Sequence, residues 1–66
     1  MLDVKALRAE IARNGMTQGQ VAERIGITAS TFSRKMKTNG FGINEAEEII
    51  KLLGIQDPGA IFFAEQ

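Results

Sequence analysis

The sequence predicts an all-α domain of five short helices. Three observations carry that prediction. Apolar residues recur at helical spacing in separate stretches of roughly two to three turns. Hydroxyl, carboxylate or amide residues stand just before those stretches, where helix caps belong. Glycines close three of them, at Gly15, Gly26 and Gly54. The 66 residues make one small domain, 1–66, of 44% hydrophobic composition. A chain of that size buries only about 60% of its unfolded surface, so modest stability is expected.

Helix one is expected over about 3–13. Asp3 can cap it, and a carboxylate there also suits the positive helix end. Val4, Leu7 and Ile11 form one apolar stripe, and Asn14-Gly15 ends it. Arg8 and Arg13 lie off the stripe, where either a solvated face or a phosphate contact accounts for them. Helix two is expected over 18–25. Thr17 and Gln20 have capping-box spacing, and Met16 and Val21 are placed as a hydrophobic staple. Val21, Ala22 and Ile25 face inward. Gly19 sits in the first turn, where its propensity cost is below the roughly 1 kcal/mol of a helix interior; no functional reason for it is legible. Gly26 supplies a left-handed stop.

Helix three is expected over 29–37. Thr28 is its cap, and Ile27 with Phe32 repeats the staple. Phe32 and Met36 make the inward stripe, which leaves Ala29, Ser30, Ser33 and Arg34 outward. Two capped helices joined by a short turn containing Gly are the sequence form of a helix-turn-helix. The outward residues are small or hydrogen-bonding and end in a long cation. That suits a major groove, where Arg takes guanine O6 and N7 and a small apolar group meets the thymine methyl. Thr28, Ala29, Ser30, Ser33 and Arg34 are therefore the expected base contacts. Lys35, Lys37, Thr38 and Asn39 could donate to phosphates, which fix register without reading sequence; an ordinary soluble loop is the other reading. Asn39-Gly40 is also a turn signal.

Helix four is expected over 43–53, with Ile43, Ala46, Ile49, Ile50 and Leu53 in its stripe. Its cap is open between Gly42 with Glu45 and Asn44 with Glu47. Glu45, Glu47 and Glu48 crowd the positive end, where the dipole favours them. Adjacent carboxylates point apart and no further ligand is in view, so neither a metal site nor acid–base chemistry is expected. Helix five is expected over 58–64, capped by Asp57 with Pro58 at its first position. Ile61, Phe62 and Phe63 cannot all face inward from one helix. They are possible dimer contacts, because an exposed large apolar group near a chain end often marks association; complete cover by helix one is the alternative.

Composition narrows the function classes. The chain has no Cys and no His, which removes disulfides, the commonest metal ligands and the commonest general base. No phosphate-cradling loop appears, and so small a chain leaves little room for a pocket. An enzyme, a cofactor and a small-molecule ligand are not expected. No apolar run reaches the roughly 20 residues that span a bilayer, and the N-terminus is unlike a signal peptide. No membrane partner is expected, and the bland inference is a cytoplasmic domain. Residues 1–40 carry seven bases and three acids, and 41–66 one base and five acids, so a net charge of zero divides into +4 and −4. Such a split points to an acidic partner for the basic half.

The stretch from Met16 to Met36 resembles the DNA-binding motif of the lambda-type phage repressor and Cro family, within the Xre-type regulators. Thr17-Gln18, Val21-Ala22, Gly26 and Thr28 to Arg34 carry the likeness. Leu53-Gly54-Ile55 and Ile61-Phe62-Phe63 resemble short prophage-type members. The resemblance implies a compact five-helix lambda repressor-like domain with the helix-turn-helix as helices two and three. It implies a repressor or Cro-like transcriptional regulator, bacterial or phage-encoded and nucleoid-associated. It further implies homodimers on the two half-sites of an inverted-repeat operator in double-stranded DNA. Thr17 and Gln18 are implied as DNA-backbone contacts. Lys35 departs from the pattern: many members place an apolar residue there, so the core contact is expected to pass to Met36. The alternative from another class is a protein-interaction module, antitoxin-like or a phage adaptor, that keeps the motif as scaffold.

Overall fold

A computed structural model describes residues 2–38 and 40–63, as five α-helices with no strand among the described residues. They are α1 (Val4–Arg13), α2 (Gln18–Arg24), α3 (Ala29–Thr38), α4 (Ile43–Leu53) and α5 (Pro58–Phe62).

The caps act where the sequence placed them. Asp3 accepts the Ala6 N–H at 3.1 Å at the start of α1. Thr17 Oγ1 accepts the Gln20 N–H at 3.1 Å, while the Thr17 N–H donates to Gln20 Oε1 at 2.9 Å, completing the capping box of α2. For α4 the open choice resolves to Gly42 with Glu45, whose Oε1 accepts the Gly42 N–H at 3.0 Å. Asp57 accepts the Ala60 N–H at 3.3 Å and starts α5.

One cluster of buried residues joins every helix: Leu7 and Ile11 from α1, Val21 and Ala22 from α2, Phe32 and Met36 from α3, Ile49 and Leu53 from α4, Ile61 and Phe62 from α5. Leu2 and Ile55 complete it. Leu2 was outside the expected stripe of α1, and Val4 is only half-buried. The chain ahead of α1 is drawn in by α5, because the Asp3 N–H donates to the Ile61 carbonyl at 2.6 Å.

Several expectations need correction. Helix two ends one residue early, with Ile25 as its half-buried C-cap. Helix three runs one residue further, to Thr38, whose hydroxyl donates back to the Arg34 carbonyl at 3.0 Å. Ile43 is not in the inward stripe of α4 but 75% exposed. At 3.6 residues per turn it lies about 120° round the helix from Ile49, beyond the edge of the buried face. Helix five stops at Phe62 with Phe63 as its C-cap; position 64 lies outside the described residues, as does Asn39. Ile61 and Phe62 are core residues, 6% and 8% exposed, while Phe63, at 73%, is outside the core.

Arg13 answers the question left open for it. Its guanidinium donates to the Leu53 carbonyl at 3.1 Å and pairs with Glu10. Asn14 Nδ2 reaches the same carbonyl at 2.9 Å. The end of α1 thus satisfies an orphan carbonyl at the end of α4, which gives Arg13 a structural role.

Candidate nucleic-acid interface

The interface is built on α2 and α3, which pack directly against each other. Val21, Ala22 and Phe32 are all fully buried between the helices and the core. The turn that sets their crossing depends on Gly26, at φ +82°. The Gly26 N–H donates to the Glu23 carbonyl at 3.2 Å and the Ile27 N–H to the Ala22 carbonyl at 3.0 Å. That paired arrangement is a Schellman closure, and its central residue must be left-handed. At the other end of the pair, a Cβ on Gly19 would stand 3.8 Å from Ala29 Cβ. The first turns of the two helices therefore lie side by side.

Thr28 Oγ1 accepts the Thr31 N–H at 3.1 Å and so caps α3; it also donates to Thr31 Oγ1 at 2.8 Å. Its hydroxyl proton is committed to the first turn, which leaves one oxygen lone pair and the methyl group for another molecule. Thr28, Ala29 and Ser30 are exposed, Ser33 is half-buried and Arg34 is exposed. Ser30, Arg34 and Lys37 fall at i, i+4 and i+7 and share one face of α3. Among the described residues Arg34 and Lys37 have no ion-pair partner.

The residues expected on DNA phosphates divide. Thr17 and Lys37 are exposed and Gln18 is half-buried. Thr38 is exposed with its hydroxyl proton turned inward to the helix. Lys35 is different. Its ammonium donates to both oxygens of Glu45, each at 2.7 Å, and the two side chains are only 26% and 21% exposed. The Lys35 ammonium and, next, the Gly42 N–H hold the Glu45 carboxyl below its ordinary value of 4.5. Lys35 therefore stands on the α4 side of the reading helix, turned away from the face that carries Arg34.

Two supports of this surface escaped the sequence reading. Phe41, in the connection between α3 and α4, lays its ring against Phe32 with centroids 5.1 Å apart and planes tilted by 58°. Glu45 was read as a charge suited to the helix dipole and as one candidate cap partner of Gly42, not as the partner of Lys35. Neither belongs to a periodic pattern, and the Lys35–Glu45 pair is ten residues apart, beyond any helical spacing.

Another surface feature is apolar. Phe41, Ile43, Ala46, Phe62 and Phe63 line a shallow groove of about 180 Å³ with Leu2 and Gly42. Ile43 and Phe63 are its exposed large apolar members.

No curated protein matches the chain, and no solved structure does. The family model of the Cro/C1-type HTH DNA-binding domain matches residues 6–65, nearly the whole chain. The capped helix pair, its glycine turn and the five-helix core agree with that match, and the chain belongs to the family of Cro/C1-type helix-turn-helix DNA-binding domains.

Proposed function

We propose that this chain is a sequence-specific transcriptional regulator of repressor or Cro-like type that lays α3 in the major groove of double-stranded DNA. One observation carries the reading: the exposed face of α3 offers small groups at Thr28, Ala29 and Ser30 followed by Arg34 and Lys37, which have no ion-pair partner among the described residues. A recognition helix enters the groove by its N-terminal residues, and here those are the ones small enough to approach base edges. Ser33 lies at the margin of that face. Thr17, Gln18, Lys37 and Thr38 serve the sugar-phosphate backbone, which fixes register. Asn39 stands next in sequence. A regulator of this kind works where its DNA is, in the cytoplasm or nucleoid of a bacterial host.

The neutral net charge gives little non-specific affinity, since that affinity follows the number of phosphates neutralised. Two copies on an inverted repeat, about one helical turn between half-site centres, double the contacts. Phe63 and Ile43 are the apolar groups available for such a homodimer. Selection of bound duplexes from a random DNA pool tests the proposal. A recovered inverted repeat supports it; recovery of no motif overturns it. The same apolar groove favours one second reading, an adaptor that docks another protein and keeps the helix pair as scaffold. Failure to shift any DNA at low salt, with the protein soluble, would select that reading.

A further inference from the structure

The third cation of α3 is held by the protein itself. Arg34 and Lys37 are exposed and without an ion-pair partner among the described residues. Lys35 lies between them in sequence, yet both oxygens of Glu45 take its ammonium at 2.7 Å. The carboxylate is fixed from its other side as well, because it accepts the Gly42 N–H that opens α4. The pair is about three-quarters buried, so solvent screens it less than an exposed pair. Any DNA phosphate has to compete for that ammonium with a bidentate carboxylate anchored on backbone.

We propose that Glu45 is an intramolecular competitor for the DNA backbone, a positioning residue that withholds Lys35 and so limits how many phosphates the reading helix neutralises. Releasing Lys35 adds a phosphate contact that carries no sequence information. Glu45 thereby lowers affinity for all DNA alike and leaves a larger share of the discrimination to the face around Arg34. The inference rests on the DNA-binding reading and adds to it a residue that touches no base.

The test uses the intact chain and a labelled duplex of mixed sequence, with binding measured by fluorescence anisotropy over a salt series. Each neutralised phosphate contributes about 0.9 to the slope of log K against log salt. Glu45→Gln keeps an oxygen for the Gly42 N–H and removes the charge that holds Lys35. It is expected to steepen the slope by about 0.9, which is a three- to four-fold greater loss of affinity between about 50 and 200 mM salt. Lys35→Met is expected to leave the wild-type slope unchanged, and the double variant to return to it. Circular dichroism melts confirm that each variant is folded. A flatter slope in Lys35→Met means that Lys35 already sits on phosphate, which overturns the inference. So does a steep slope that survives in the double variant, because the effect is then removal of a repelling carboxylate. A wild-type protein that at no salt binds either this duplex or any duplex selected from a random pool overturns the DNA-binding reading itself.

Discussion

Arg34 is the longest donor on the open face of α3, and its role divides cleanly by experiment. Arg34→Ala should weaken binding to a selected site by about 1–3 kcal/mol and relax preference at one base pair. An equal loss on all sequences, with a salt slope reduced by about one, would make it a phosphate anchor instead. Thr28 is the other residue whose chemistry the structure sharpens. Its hydroxyl closes the first turn of α3, so Thr28→Ala should cost about 0.5–2 kcal/mol of stability as a lost cap. Thr28→Ser keeps the cap and loses only the methyl. Chemical denaturation should find it near wild type, while binding-site selection should find a weakened preference for thymine opposite that position.

At the level of the elements, the turn between α2 and α3 and the start of α4 are the sensitive joints. Gly26→Ala places a side chain at φ +82°, which costs on the order of 1–2 kcal/mol. Because the turn fixes the crossing of the pair, DNA binding should fall with stability. Gly19 contrasts with it: a Cβ there meets Ala29 at an ordinary 3.8 Å, so Gly19→Ala should raise the melting temperature by a gain of up to about 1 kcal/mol. The Lys35–Glu45 joint is read through pH. The folded protein holds the Glu45 carboxyl below 4.5. Its contribution is therefore complete above that pH and is lost as the pH falls through the lowered folded value. Melting temperatures measured from neutral pH down to about pH 3 should decline, and the decline should be smaller in Glu45→Gln.

The whole molecule is small enough for magnitudes to separate core from surface. A domain of this length has a total stability of roughly 3–10 kcal/mol. Ile49→Ala, at a site with no solvent exposure, should remove about 2–5 kcal/mol and leave much of the protein unfolded. Phe63→Ser and Ile43→Ser lie at the exposed rim of the apolar groove. Their effect on stability should stay within about 0.5 kcal/mol. If that rim joins two copies on DNA, the same variants should convert cooperative binding of a paired site into weak, independent binding of half-sites. Sedimentation of the protein–duplex complex distinguishes the two.

The sequence by itself determined the helices and their boundaries to within a residue or two. Caps at Asp3, Thr17, Thr28 and Asp57, stops at glycine and the 3.6-residue period are local rules, and each acts within about one turn. It also determined which face of α3 is open, since Phe32 and Met36 leave only one side for Ser30 and Arg34. What it left to the tertiary structure is every choice between neighbours far apart in the chain. Arg13 reaches Leu53, Asp3 reaches Ile61, Phe41 supports Phe32 and Glu45 holds Lys35. The same holds for the apolar tail: whether Ile61, Phe62 or Phe63 is covered depends on where α1 and α4 lie, and no spacing encodes that. Period and caps report a residue's place on its own helix. Burial and ion pairing report which other helix faces it, and only the packed molecule decides that.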